Sequence, residues 1–217
     1  MKKVAIIGTQ GVPAKYGGFE TLVEYLVRNL NKKNRFTVYC SRENHTERKK
    51  KKYNGAVLKF IPLRANGLQS IPYDIISLFH ASVKNDTILI LGVSGCIILP
   101  VFRLLYPHKK LIINIDGNES GRKKWNRFVR LFLKTSEKLA IRYANVIIAD
   151  NKAVREYILN NYQKKSIFIP YGGNQVKKLH LSETIKKKYR LPEKFACKIC
   201  RIEPENRLVS SQVSSFG

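Results

Sequence analysis

The loop at residues 116–125 (DGNESGRKKW) holds the side chains best suited to chemistry. Asp116 directly follows an apolar run, and a carboxylate there can act as a general base that takes the proton from an acceptor hydroxyl. Arg122 and Lys124 can hold a diphosphate, and Trp125, the only tryptophan, can stack on a sugar face. A charged surface loop with Trp125 tucked into the core would have the same composition, so both interpretations stay open.

A second candidate site lies near the start of the chain, where residues 4–7 form an apolar run typical of a buried parallel strand. The glycine-rich loop 8–18 follows it, and a helical pattern begins at Phe19. Gly17 and Gly18 would let a ligand approach the backbone, where the unpaired N–H groups of a helix start favour negative charge. The spacing fits neither a dinucleotide fingerprint nor a P-loop. A tight turn whose glycines serve only geometry explains the loop equally well.

The elements that must position these loops alternate between short apolar runs and stretches with helical spacing. This alternation predicts an α/β fold with a Rossmann-like, doubly wound, mostly parallel sheet. Ligands of such sheets bind outside the carboxyl ends of the strands. The predicted strands span 4–7, 36–40, 56–63, 86–92, 110–116, 145–150 and 166–170, and the predicted helices span 19–31, 73–83, 97–106, 127–143 and 152–162. The loops expected at the carboxyl edge span 8–18, 92–96, 116–125, 150–151 and 171–173.

The charge of the chain is strongly positive. Lysine and arginine number 41 against 15 acidic residues, which gives a net charge of +26. Such a chain favours polyanions, whether nucleic acid, anionic lipid headgroups or phosphorylated substrates. The absence of a helix-turn-helix, zinc-finger or RNP-type motif disfavours nucleic acid as a specific partner. An enzyme at a membrane surface, acting on a diphosphate-bearing substrate, accounts for the charge better. The basic run 48–52 falls in a predicted loop, 42–54, and either is simply solvated or contacts membrane or phosphate.

The compartment follows from the apolar runs and the cysteines. No apolar run reaches the ~20 residues of a transmembrane helix, and no secretory signal pattern opens the chain. The sparse cysteines indicate reduced thiols. One pair, Cys197 and Cys200, cannot make a four-cysteine zinc site, and we interpret it as structural. These observations predict a cytoplasmic protein, peripheral at the inner face of the plasma membrane.

The stretch 7–21 (IGTQGVPAKYGGFET) resembles the opening of bacterial capsule and exopolysaccharide rhamnosyltransferases, which are family 4 nucleotide-sugar glycosyltransferases with a GT-B fold. The resemblance extends to about Glu205. In that family the loop corresponding to 116–125 begins with Asp-Gly, continues into a segment rich in Trp, Lys and Arg, and faces the active-site cleft. Here residues 118–121 depart from the usual sequence.

The resemblance implies roles for the candidate residues. Gly17 and Gly18 would approach the donor diphosphate, and Asp116 would be the catalytic base. Arg122 and Lys124 would meet the phosphate of the acceptor.

The same resemblance divides the chain. It implies an N-terminal Rossmann-like acceptor-binding domain at 1–173, a linker at 174–194, the first strand of an incomplete donor-binding domain at 195–206, and a disordered, non-native tail at 207–217. Arg201 matches the arginine that holds the donor diphosphate, whereas Asn206 stands where lysine is usual. We therefore expect a truncated fragment with little or no turnover.

The reaction implied is transfer of a hexosyl group, specifically rhamnose from dTDP-rhamnose, to a lipid-diphosphate-linked saccharide during synthesis of capsule or exopolysaccharide. The donor would be a dTDP- or UDP-sugar, and no cofactor or metal is implied, since the chain carries no Asp-x-Asp motif. The alternative is a basic module that binds nucleic acid or anionic membrane without catalysis. The charge of +26 favours that alternative, as does the incomplete second domain.

Overall fold

The computed structural model describes residues 1–15, 17–43, 51–117, 125–173, 182–190 and 192. Two compact units can be distinguished: residues 1–121 with 125–171, and residues 122–124 with 172–217. The predicted strand at 195–206 and the predicted tail at 207–217 lie outside the described residues.

The first unit alternates strands and helices as predicted. Its strands are β1 (Lys2–Ile7), β2 (Asn34–Ser41), β3 (Lys52–Tyr53), β4 (Ala56–Ile61), β5 (Thr87–Leu91), β6 (Lys110–Ile115), β7 (Val146–Ala149) and β8 (Ile167–Phe168). Its helices are α1 (Gly17–Leu30), α2 (Ser70–Lys84), α3 (Leu99–Leu105), α4 (Arg127–Tyr143) and α5 (Lys152–Tyr162), with 3-10 turns at Gly67–Gln69 and Cys96–Ile98.

All of these strands join one sheet in the order β3-β4-β2-β1-β5-β6-β7-β8. Every neighbouring pair is parallel except β3 with β4. Without β3, this is the strand order of a Rossmann fold. Successive strands are added on one side of β1 up to β4 and on the other side from β5 onward, so the order switches between β1 and β5. The predicted α/β class and mostly parallel sheet are confirmed.

The edge strand β3 was not predicted, because its residues fall in the predicted basic loop 42–54. Asn54 and Gly55 both adopt positive φ, the backbone conformation of a two-residue type I′ hairpin. That turn folds Lys52 and Tyr53 back onto β4, where Tyr53 faces Ala56. The Asn-Gly pair is a hairpin signal in the sequence, but the neighbouring basic run led us to predict a loop. Residues 44–50 of the run lie outside the described residues.

The helices cover the two faces of the sheet unequally. On one face, α1 buries Val23 and Val27 against strand residues such as Ile6 and Val38. On the other, α2, α3, α4 and α5 contribute to a larger apolar cluster. On the α1 face, Ile112 of β6 and Ile148 of β7 are only partly buried. The α1 face is therefore more open along β6 and β7 than at its centre.

Helices α4 and α5 have the predicted bounds, and capping side chains mark their starts. Asn126 accepts a hydrogen bond from the Val129 backbone at the start of α4, and Asn151 accepts one from Val154 at the start of α5. Pro100 lies in the first turn of α3, where a helix tolerates a residue without an N–H donor. Among the described residues, no helix has both the length and the apolar character to cross a membrane.

In the second unit, the described element is a short helix, α6 (Glu183–Tyr189). Ser182 caps its N-terminus by accepting from the Ile185 backbone. Lys186 pairs with Glu183 one turn away, with Nζ 2.8 Å from the carboxylate.

Candidate functional site

The parallel sheet brings the ends of its central strands to one edge. β1, β5, β6 and β7 are consecutive neighbours and run in the same direction, so the segments that follow them lie side by side. The candidate Asp116 and the glycine-rich loop therefore lie at the same edge, as predicted.

Gly8 marks the close approach of β1 to β5. Its φ is +84°, and a Cβ at this position would lie 2.1 Å from the carbonyl oxygen of Leu91. Only glycine has both the backbone freedom and the space this contact requires. This glycine serves the geometry of the sheet.

Gly17 and Gly18 form the first turn of α1, which begins two residues before the predicted start at Phe19. Both are exposed, and a Cβ on Gly18 would meet no atom within 4 Å. The fold itself therefore leaves space for a side chain at Gly18. At Gly17, by contrast, φ is +84° and a Cβ would lie 2.7 Å from an oxygen of Glu20.

Glu20 lies in the first turn of α1, where a carboxylate complements the helix dipole, and it also bonds the loop that precedes the helix. Its side chain is buried, and its Oε1 accepts hydrogen bonds from the Thr9 hydroxyl at 2.8 Å and from the Gln10 N–H at 2.9 Å. The carboxylate thereby holds the loop after β1. Its negative charge also lies beside the start of α1 and reduces the attraction of that helix end for an anion.

Glu24 acts one turn further along α1. Its Oε2 accepts from the backbone N–H of Ala14 at 2.7 Å, and its Oε1 accepts from the Tyr53 hydroxyl at 2.8 Å. The second half of the glycine-rich loop is thus tied both to α1 and to the edge strand β3.

Helix α2 ties together the loops after β1 and β5. The Tyr73 hydroxyl donates to the carbonyl oxygen of Thr9 at 2.9 Å, and Tyr73 is fully buried. The neighbouring Asp74 accepts from the Ser94 hydroxyl and from the Gly95 N–H. Burial raises the pKa of Asp74 to about 7. Nothing in the local sequence around Asp74 identifies these partners, because they come from a loop twenty residues away.

Asp116 is exposed and directly follows β6, at the predicted carboxyl edge. Ile115 pairs with Ala149 in the parallel register, so Asp116 and Asp150 follow equivalent positions of adjacent strands. Burial, together with the charge of Asp116, raises the pKa of Asp150. Asp150 lies in a loop expected at this edge but was not chosen as a site residue. Its place directly after a strand, like that of Asp116, was the available signal.

Asn114 and Tyr171 complete this part of the edge. Asn114 is 2% exposed and donates from Nδ2 to the Tyr171 hydroxyl at 3.1 Å. Its Oδ1 is buried without a hydrogen-bond partner among the described residues. Burial raises the pKa of Tyr171, and the charges of Asp116 and Asp150 raise it further. A polar cluster of four side chains thus follows β6, β7 and β8.

The other predicted site residues have different outcomes. Trp125 is half-buried, directly before the Asn126 cap of α4. Arg122, Lys124 and Arg201 lie outside the described residues. Their expected contacts with phosphate stay predictions.

A shallow hollow of about 540 Å³ lies at the opposite edge of the sheet. Four of its lining residues are the cations Lys3, Arg35, Lys84 and Lys109. It lies at the amino ends of the strands, whereas ligands of open α/β sheets bind at the carboxyl ends. We therefore place the candidate site at the carboxyl edge. In the described part of the chain, no group of three or more His, Cys, Asp or Glu side chains could hold a metal ion.

Comparison with protein families assigns the chain. A family described as a domain of unknown function, DUF1972, matches residues 1–174. The chain belongs to this family. No curated protein matches the DUF1972 chain.

Solved structures similar to the DUF1972 chain include two glycosyltransferases. A sucrose-phosphate synthase from Thermosynechococcus elongatus has 14% identity and a TM-score of 0.62, and the match covers 88% of this chain and 53% of that one. UGT89C1 from Arabidopsis thaliana, solved in complex with quercetin, has 11% identity and a TM-score of 0.50, with 88% and 55% covered. The DUF1972 chain thus spans about half the length of these structures, and the likeness shows a shared fold. The expected α/β fold of a GT-B half is confirmed.

Proposed function

We propose that the DUF1972 chain is the acceptor-binding half of a glycosyltransferase. The strongest support is that Asp116 and the exposed start of α1 lie at one edge of a sheet whose fold is shared with halves of two glycosyltransferases. Transfer at such an edge needs a base for the acceptor hydroxyl and a cradle for the donor phosphate. Asp116 supplies the base, and the donor phosphate would approach the backbone of Gly17 and Gly18 in the space left open at Gly18.

The donor site needs cations as well as glycines. The charge of Glu20 lies beside the start of α1, so the N–H groups there attract a diphosphate only weakly. Arg201 is the residue we propose for that charge, and Arg122 and Lys124 would hold the phosphate of the acceptor. Trp125, half-buried just after these cations, would stack on a sugar ring.

The substrates we propose are dTDP-rhamnose as donor and a lipid-diphosphate-linked saccharide as acceptor, in the synthesis of capsule or exopolysaccharide. The resemblance of residues 7–21 supports this choice. A diphosphate-bearing lipid also suits a chain with a net charge of +26, since such a chain is drawn to anionic membrane surfaces.

The first half of α4 is the surface that we propose lies on the membrane. Phe128 and Leu131, spaced one turn apart, are 84% and 67% exposed. Arg127, Arg130 and Lys134 are exposed beside them. Apolar side chains flanked by cations fit the boundary between anionic headgroups and acyl chains.

Sugar transfer tests the enzymatic proposal directly. The assay would combine radiolabelled dTDP-rhamnose with membranes that contain lipid-diphosphate-glucose. It would compare this chain with a chain extended past residue 206 by a donor-binding domain. We expect transfer by the extended chain and little or none by this one. If neither transfers rhamnose, glucose or galactose from dTDP- or UDP-donors, the enzymatic proposal is wrong.

Vesicle flotation tests the membrane surface. The double variant Phe128→Ser/Leu131→Ser should lose most binding to vesicles that contain phosphatidylglycerol, because it removes the apolar contacts. The matched control is Val83→Ser, which removes an apolar side chain that is 70% exposed at the end of α2. Equal binding by both variants would contradict the assignment.

The second candidate function is a basic binding module without catalysis, which the net charge of +26 favours. Such a module would bind duplex DNA or anionic vesicles with an affinity that falls steeply as salt increases. Tight filter binding of DNA by a chain that neither floats with vesicles nor transfers sugar would favour this module over the enzyme.

A further inference from the structure

We propose that Asn114, Asp116, Asp150 and Tyr171 form a binding site for the hydroxyl groups of a saccharide. The four residues lie within the first unit, at the carboxyl ends of β6, β7 and β8. This saccharide site rests on the proposed function for the role of its ligand, which would be the acceptor sugar beside Asp116.

The register of the sheet brings the two carboxylates together. Asp116 and Asp150 follow the paired residues Ile115 and Ala149 of parallel neighbours. Neighbouring strands lie ~4.8 Å apart, a distance that one sugar ring can bridge. The charges of both carboxylates also raise the pKa of the Tyr171 hydroxyl.

The buried amide of Asn114 is the second, independent sign of a ligand. Its Nδ2 is occupied by the Tyr171 oxygen, but Oδ1 has no partner among the described residues although the residue is 2% exposed. An acceptor buried without a donor is costly and is uncommon in native proteins. Because the same amide contacts Tyr171, its free oxygen belongs to the same cluster as the carboxylates.

The cluster needs hydrogen-bond donors. Carboxylates and an amide oxygen are acceptors, and one of them, Asp150 Oδ1, already accepts from the Asn151 side-chain amide at 2.8 Å. The Tyr171 oxygen accepts from Asn114, which leaves the tyrosine proton to donate. Neighbouring hydroxyl groups of a sugar can donate to several of these oxygens and accept from Tyr171. A phosphate would instead be repelled by the two carboxylates.

A divalent cation fits less well. Magnesium takes six oxygen ligands in a near-ideal octahedron, and calcium takes six to eight. The cluster offers two carboxylates, and the described residues contain no group of three metal-ligating acidic, His or Cys side chains. A neutral ligand with several hydroxyl groups therefore suits the cluster best.

Binding of methyl α-D-glucopyranoside to the ¹⁵N-labelled chain tests the site without any donor or transfer reaction. We expect millimolar additions to shift the side-chain amide resonances of Asn114. The same concentrations of cyclohexanol, which has one hydroxyl group, should leave them in place. No shift with the glucoside, or shifts with magnesium chloride alone, would overturn the proposal.

Variants sharpen the test. Asp150→Asn should weaken binding of the glucoside about tenfold, because a hydrogen bond to a charged acceptor is replaced by a neutral one. Asp86→Asn is the matched control: it removes an exposed carboxylate before β5, at the opposite edge of the sheet, and should bind as the wild type does. Equal affinity of the Asp150 and Asp86 variants would overturn the site.

Failure of this site and failure of the proposed function can be told apart. Glucoside binding that depends on Asp150, in a protein whose extended chain transfers no sugar, would keep the saccharide site and remove the enzyme. Transfer by the extended chain that is unchanged by Asp150→Asn would keep the enzyme and remove the saccharide site.

Discussion

The two halves of the carboxyl edge differ in how their polar groups are satisfied. Around the loops after β1 and β5, buried acceptors have donors from distant elements, as in the bonds of Glu20, Tyr73 and Asp74. After β6, β7 and β8, Asp116 is exposed and the buried Oδ1 of Asn114 has no described partner. We call the first the complete half, although the buried Ser77 hydroxyl of α2 has no partner among the described residues, and the second, which leaves acceptors for a ligand, the open half.

The complete half determines the shape of the backbone at this edge, and the open half holds the groups that a ligand can bond. Buried hydrogen-bond networks fix one arrangement of the backbone and are costly to break. A half whose groups already bond one another has little left to offer a ligand. A buried acceptor without a donor lowers the stability of the free protein. A ligand that donates a hydrogen bond to this acceptor removes that penalty.

The largest effect should follow from Asp116→Asn in a chain that transfers sugar. Loss of a general base lowers the turnover rate roughly 100-fold or more, measured as the initial rate of transfer. The free energy of unfolding should stay unchanged, since Asp116 is exposed. Asp86→Asn is the control. Full activity of the Asp116 variant would move the chemistry away from the open half.

Asp74→Asn should change how stability depends on pH. The pKa of Asp74 is raised to about 7 in the folded chain, above its ordinary value of 3.8. The folded state therefore keeps a proton that the unfolded state releases between these values, and the free energy of unfolding falls as pH rises from about 4 to about 7, by a few kcal/mol. Asparagine keeps one acceptor oxygen and has no proton to release in this range, so the free energy of unfolding of the variant should change less over that window. Urea unfolding at several pH values in this range measures the free energy of unfolding of both proteins. The same dependence on pH in the wild type and the variant would contradict the prediction.

Tyr73→Phe should destabilise the complete half. The variant keeps the ring but removes the donor to the buried Thr9 oxygen, which costs about 1–2 kcal/mol of the free energy of unfolding. Urea unfolding at one pH is sufficient to measure it. An unchanged midpoint would mean that the bond contributes no net stability.

Tyr171→Phe should have the smallest effect, although the chemical change is identical. Tyr171 is 41% exposed, so water can replace its hydroxyl beside Asn114, and we expect a loss below about 1 kcal/mol. The two tyrosine variants control for each other. A loss as large as that of the Tyr73 variant would mean that both halves are equally complete.

Much of the fold could be predicted because its signals are local. Apolar runs and helical spacing predicted the sheet and its helices. Residues 127–143 and 152–162 form helices with the predicted bounds, and Asn126 and Asn151 cap their starts. The hairpin at Asn54 and Gly55 was equally local but was hidden by the surrounding charge.

The partners within the site could not be predicted in the same way. Asp74 reads as an ordinary polar residue near the start of a helix, and its bonds come from Ser94 and Gly95, in a loop beyond β5. The pairing of Asp116 with Asp150 depends on a register between strands that are thirty residues apart in the chain. Helical and strand periods carry no such information.

Apolar runs that alternate with helical spacing were enough to predict the α/β fold, and with it the edge at which Gly17, Gly18 and Asp116 lie, because parallel strands all end at the same edge of their sheet. Which polar groups at that edge have hydrogen-bond partners follows from the folded structure alone. Hydrogen bonding between distant residues depends on packing and register, and these turned Glu20 inward to hold a loop while leaving the oxygen of Asn114 without a described partner.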